Sequence, residues 1–216
     1  PGDARLAYSA GVAYMIKGRM GEARRLYERA IRIDPAYMNA YLNLATVDEA
    51  QGDLDAAVVN LRHIVKFGPD SPAALKAGVR LDILEARMLT RSGNIQDAVS
   101  AYERALEAEP SNNVALRARP DLYRRLGDRE GERGAYEALI AQYPDDFSAR
   151  NRLAEWYLAE RRYAEAYDQI YAVIDGQEEG EQRDIARRLL AQMLSTDEGK
   201  AISRAKAAEK LAGLQA

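Results

Sequence analysis

Apolar residues recur three and four apart between Arg5 and Lys17 and again between Gly21 and Ile33, with a break at Gly18 separating the two runs. That period marks helices with one buried face, so residues 4–37 are predicted to form a helical hairpin. Asp34–Pro35 ends the second helix, because proline lacks the amide hydrogen and disfavours helix in the residue before it. The same marks then return down the chain. Gly18, Ala23, Tyr27, Ala30 and Pro35 are followed 34 residues on by Gly52, Ala57, Leu61, Ile64 and Pro69, and 41 further by Gly93, Ala98, Tyr102, Ala105 and Pro110. Two more steps of 34 give Gly127, Glu132, Tyr136, Leu139 and Pro144, then Arg161, Ala166, Ile170, Val173 and Glu178. Five hairpins are therefore predicted, over 4–37, 38–71, 79–112, 113–146 and 147–180.

The marks have a packing logic. Ala23 and Ala30 lie seven apart on one helical face, where small side chains admit a neighbouring helix and Tyr27 fills the space between them. An insertion, Pro72 to Gly78, is predicted to lengthen the first helix of the third hairpin, with Ser71 as cap and Pro72 at the first helical position. The fourth hairpin departs twice. Pro120 falls inside its first helix, where it is expected to kink the helix at a cost of about 3 kcal/mol, and Glu132 stands where a small residue is wanted. This hairpin is the expected soft joint, where the array would bend. Residues 181–214 carry two more helical runs, Glu181 to Leu194 and Thr196 or Asp197 to about Leu211. They read as a degenerate sixth hairpin or cap, whose Arg187, Arg188, Lys200, Arg204, Lys206 and Lys210 suit a polar terminal face.

A 34-residue helix-turn-helix with small residues, an aromatic and a closing proline at these offsets resembles the tetratricopeptide repeat. Gly11, Tyr14, Gly18, Ala23, Tyr27, Ala30 and Pro35 carry the likeness in the first unit. Tyr41, Leu44, Ala45, Gly52, Ala57 and Pro69 carry it in the second, and Ala86, Gly93, Ala98, Tyr102, Ala105 and Pro110 in the third. The resemblance implies an all-α fold: an α-α superhelix of five helical hairpins plus a degenerate C-terminal capping hairpin.

Composition fits that class and narrows the chemistry. Charged residues make up 30% of the 216 and hydrophobic ones 47%, as in water-soluble helical proteins. The formal net charge of −3 supplies no global basic field, so nucleic acid is an unfavoured partner. Absence of cysteine removes disulfides and thiolate sites and is compatible with cytoplasm or periplasm, between which the compartment stays open. No apolar run reaches the roughly 20 residues of a membrane span. The chain opens at Pro1 rather than Met, which reads as a processed or trimmed start. His63 is the only histidine, so an H-E-x-x-H site is impossible, and no phosphate-binding loop or G-x-S-x-G occurs. No cofactor is called for, and the chain reads as non-enzymatic. Asp53 with Asp55, and Asp175 with Glu178, Glu179 and Glu181, read as helix caps and a solvated loop rather than metal ligands. Tyr14, Tyr27, Tyr41, Tyr102, Tyr123, Tyr136 and Tyr157 fall on packing positions, and so read as core rather than base-stacking platforms.

In arrays of this family the concave wall, lined by the first helix of each unit, usually grips an extended peptide or a partner's helix. The resemblance places Arg5, Tyr8, Val12, Met15 and Ile16 on that wall in the first unit, as an apolar entrance. It places Asn39, Leu42, Asn43, Thr46 and Glu49 there in the second. Units three and four contribute Arg80, Arg87, Arg91, Arg117, Arg124 and Arg125. Six arginines on one surface suit bidentate pairing with carboxylates or phosphates, unless they pair internally with Asp82, Glu85 and Asp121. Both readings stand at this level. The carboxylate-gripping set known in some chaperone-binding members corresponds to Tyr8, Val12, Asn43, Arg80 and Leu84, and only two of those five are suitable. The expected function is a scaffold holding an acidic or amphipathic segment of another protein. The alternative is the repeat domain of a bacterial envelope assembly system, for pili or exopolysaccharide export. Self-association, through an uncapped end or an apolar groove filled by a second copy, is a further expectation.

Overall fold

A computed structural model describes residues 2–213, and the described residues form twelve helices and no strand. Residue 214, the expected end of the last hairpin, lies outside them. In chain order the helices are α1 (Ala4–Ile16), α2 (Met20–Ile33), α3 (Met38–Gln51), α4 (Leu54–Phe67), α5 (Pro72–Ser92) and α6 (Ile95–Ala108). They continue as α7 (Asn113–Leu126), α8 (Arg129–Gln142), α9 (Phe147–Ala159), α10 (Tyr163–Gly176), α11 (Glu181–Leu194) and α12 (Asp197–Gly213). The chain divides into two compact units, Pro1–Ala115 and Leu116–Ala216, with the boundary inside α7.

In the first unit α1 packs on α2, α3 on α4 and α5 on α6, and the hairpins are joined through α2 with α3 and α4 with α5. In the second unit α9 contacts α8, α10 and α11, while α12 lies against α10 and α11. The repeated marks are the core. Ala23, Ala30, Ala57, Leu61, Ile64, Ala98, Ala105, Ala166, Ile170 and Val173 are fully buried, and Tyr27, Tyr102 and Tyr136 fill the aromatic places. Tyr27 lies so close to α1 that a Cβ added at Gly11 would stand 2.7 Å from its ring, so only glycine permits this approach.

The turn inside each of the first five hairpins uses one left-handed residue. Gly18, Gly52, Gly93 and Gly127 take it with φ of 72°, 80°, 86° and 72°. At the fifth occurrence the sequence offers Arg161, which nevertheless adopts φ 57°, the one positive value outside glycine among the described residues. Register therefore overrides residue preference, at a cost of about 1 kcal/mol for a side chain in this region. Arg161→Gly is expected to raise stability by about 1 kcal/mol in chemical denaturation, since the turn already has the geometry glycine favours.

The insertion lengthens α5 as expected, beginning with Pro72 at its first turn. Ser71 occupies the cap position, but its hydroxyl makes no capping hydrogen bond. Pro120 is buried, and α7 continues six residues past it. Glu132 is likewise buried, its carboxylate held 3.8 Å from Arg124 and 3.5 Å from Arg129. Two arginines thus neutralise the charge that replaces the small residue.

Candidate partner-binding surface

The first unit brings several wall residues together. Asn43 donates from Nδ2 to the hydroxyls of Tyr8, at 3.2 Å, and Tyr27, at 3.4 Å. Tyr27 donates in turn to the Met15 sulfur at 3.6 Å. Tyr8, Val12 and Met15 are half-buried against the cluster of Ala23, Tyr27, Leu44 and Val47, so the apolar entrance is partly core. Arg5, Asn39 and Ile16 are exposed.

The six arginines divide into two kinds. Arg80 reaches from α5 back to α3, donating to the Leu42 carbonyl at 3.3 Å and the Thr46 hydroxyl at 3.0 Å, and pairing with Glu49. Arg117 pairs with Asp146, and Arg124 with Asp121 and Glu132. These three are already paired with carboxylates of the chain. Arg87, Arg91 and Arg125 are exposed, and among the described residues no carboxylate lies in ion-pair range of any of them. Asp82 and Glu85, the carboxylates that sequence reasoning offered as internal partners, instead bind Arg104 and Arg62, at 2.8 Å and 2.7 Å. Because Arg117, Arg124 and Arg125 lie beyond the unit boundary at Ala115, the inferred wall is two surfaces, each described within its own unit.

The second unit holds a feature absent from the sequence reading. Three adjoining cavities of about 230, 350 and 240 Å³ share Arg152 of α9 as a lining residue, with Ser148, Arg124 and Glu155 each lining two of them. Arg152 pairs with Glu155 of its own helix, at 3.0 Å, and among the described residues no other carboxylate is in ion-pair range of it; it stays largely exposed. It stands in the register of Asn43, 109 residues earlier (steps of 41, 34 and 34), a signal that would have identified it had the wall positions been carried into the fifth hairpin. Nearby, Trp156 donates to the Arg129 carbonyl at 3.1 Å and lies under the Arg129 guanidinium. Burial pushes the Tyr157 hydroxyl up to about 12, helped by its 2.7 Å hydrogen bond to Glu137. His63 stacks on Tyr41 with ring centroids 4.0 Å apart, and Asp53 caps α4 by accepting from the Ala56 amide at 3.1 Å.

The helix spans, the shared register of buried marks and the left-handed turns agree with sequence models of the tetratricopeptide repeat, which match residues 14–79, 83–138 and 127–212. The chain belongs to the tetratricopeptide repeat family. Among curated relatives, it is 29% identical over 168 residues to cellulose synthase operon protein C of Xanthomonas axonopodis, covering 74% of this chain and 10% of that protein. It is 28% identical over 137 residues to human general transcription factor 3C polypeptide 3, covering 58% of this chain and 15% of the relative. The chain thus spans a small part of the proteins it matches. Solved structures share the fold at lower identity. MamA 41-end from Desulfovibrio magneticus superposes with a TM-score of 0.62 at 17% identity, covering 82% of this chain and 99% of MamA. PilF of Pseudomonas aeruginosa gives 0.56 at 16% identity, covering 95% and 97%. YrrB, described as a repeat protein with an unusual peptide-binding site, gives 0.57 at 17% identity, covering 86% and 91%. As a tetratricopeptide repeat protein the chain is a protein-interaction scaffold of the all-α helical-repeat class. No helix among the described residues is long and apolar enough to cross a membrane.

Proposed function

We propose that this tetratricopeptide repeat chain is a non-enzymatic scaffold that holds an acidic or amphipathic segment of another protein against its first helices. The carrying observation is the pair Arg87 and Arg91, four residues apart on α5, both exposed and without a carboxylate partner among the described residues. Unpaired guanidinium groups at that spacing present planar donors to one side of a ligand and suit carboxylates better than a flexible ammonium would. Arg80, tied to Glu49 on α3, fixes the neighbouring backbone instead of binding. Arg87→Glu with Arg91→Glu is expected to weaken binding of a synthetic Glu-rich amphipathic peptide at least tenfold in calorimetric titration. Arg80→Ala should act mainly on stability. Unchanged affinity in the double variant would remove the acidic-segment reading.

A second reading, a part in bacterial envelope assembly, is favoured by the match to cellulose synthase operon protein C along 74% of this chain. Co-purification with exopolysaccharide-export components from a bacterial envelope fraction would support it, and failure to associate with that fraction would count against it.

A further inference from the structure

Between α4 and α5, wholly within the first unit, runs a groove of about 590 Å³. Asp55, Val58, Val59 and Arg62 of α4 line one side. Glu85, Met88, Leu89 and Ser92 of α5 line the other. Each set falls at i, i+3, i+4 and i+7, the spacing that puts four side chains on one face of a helix. Arg62, last in its stripe, pairs with Glu85, first in its own, at 2.7 Å, so the two stripes run antiparallel. The valines therefore face Met88 and Leu89 in the middle, and Asp55 and Ser92 stand at the far end.

The repeat register explains why the space is open. At the preceding junction Arg24 reaches from α2 to Asp48 and Gln51 of α3. Val58 stands 34 residues after Arg24, while Leu89 and Ser92 stand 41 after Asp48 and Gln51. A long cation, a carboxylate and an amide are thus replaced by a valine, a leucine and a serine, which leave the junction apolar and unfilled. Val59 sharpens the contrast. It is 66% exposed, whereas its register companions, Arg25 on α2 and Ser100 on α6, are polar, as exposed places favour.

Charge is uneven along the rim. Glu85 holds Arg62 and, at 3.7 Å, Arg104 of α6, so that end is paired internally. Asp55, in the first turn of α4, is exposed, and among the described residues no cation lies in ion-pair range of it. The lining carries two carboxylates against one guanidinium, a net single negative charge. Its complement is a helix whose apolar stripe, about 10 Å or two turns long, ends in a cation.

We propose that the α4–α5 groove docks an amphipathic helix of another protein, with apolar residues on Val58, Val59, Met88 and Leu89 and a lysine or arginine at Asp55. The groove uses neither Arg87 nor Arg91 and prefers the opposite charge, so it goes beyond the acidic-segment reading and stands apart from it.

Methyl nuclear magnetic resonance during titration with a synthetic helix tests this, the probe carrying leucines at i and i+3 and a lysine at i+7. Saturable shifts are expected at Val58, Val59, Met88 and Leu89. Asp55→Asn should weaken the probe about two- to fivefold, the weight of one exposed ion pair. Val59→Glu should weaken it at least about tenfold by setting a charge against the leucines. Both positions are exposed, so helical circular dichroism should be unchanged. Arg87→Ala with Arg91→Ala should leave the titration as it is, which keeps failure here distinct from failure of the acidic-segment surface. Absent shifts at the four residues overturn the proposal. So does equal affinity for a probe with glutamate in place of the lysine. Shifts of the same methyls on concentrating the protein alone would give the groove to a second copy and overturn it too.

Discussion

Arg24→Ala is expected to destabilise the first unit by about 3–5 kcal/mol, the usual penalty for leaving one member of a buried ion pair uncompensated. Asp48 is fully buried on α3. Its carboxylate is held by the Arg24 guanidinium from α2 and by the Asn60 amide from α4, which donates at 2.7 Å. Arg24 is itself steadied by a 2.7 Å hydrogen bond to Gln51. Three helices from two hairpins therefore meet on one charge. Removing Arg24 leaves an ionised carboxylate with a single neutral donor in a dry site. Adding Asp48→Asn to Arg24→Ala should recover much of the loss, because a neutral amide carries a far smaller desolvation cost. Urea denaturation of the single and double variants measures both. Equal stability of Arg24→Ala and wild type would mean that the Asp48 charge is balanced in another way.

Tyr27→Ala is expected to cost a similar 3–5 kcal/mol, through lost burial and the cavity left behind. The ring is fully buried, packs against the bare backbone of Gly11 and is surrounded by Tyr8, Val12 and Met15, which are themselves held in place by the same cluster. Tyr27→Phe keeps the ring and loses only the hydroxyl contacts to Asn43 and Met15. It should cost about 0.5–1.5 kcal/mol. The contrast between the two substitutions, read by thermal unfolding, separates packing from hydrogen bonding at the aromatic mark of the first repeat.

The helices and their hairpin pairing were legible in the sequence because periodicity, glycine turns and closing prolines act locally and repeat. Arg161 shows how far that register reaches, since it takes the left-handed turn conformation where glycine has been lost. Charge pairing was less legible. Arg80 finds Glu49 and Arg117 finds Asp146 across hairpins, and whether an arginine is free or tied depends on which carboxylate the packing brings near. Asp48 did leave a trace. Its register companions are Tyr14, Leu89, Tyr123 and Tyr157, so a carboxylate in that series signals a buried partner. Glu132 reads as a defect against the repeat pattern, which wants a small residue there; of the arginines that face it, Arg129 is local, three residues earlier on α8, but Arg124 comes from α7 and is brought near only by packing. The two compact units have no mark in the repeat pattern either, and their boundary at Ala115 precedes the proline that drew attention in the sequence.

The central claim, that Arg87 and Arg91 present an anion-binding face on α5, is tested most directly by nuclear magnetic resonance of the arginine guanidinium groups during titration with a Glu-rich amphipathic peptide. The account predicts saturable shifts of the Arg87 and Arg91 signals, with those of Arg80, already bound to Glu49, moving little. Shifts confined to other arginines, or none on α5 at a peptide concentration that saturates binding, would contradict it.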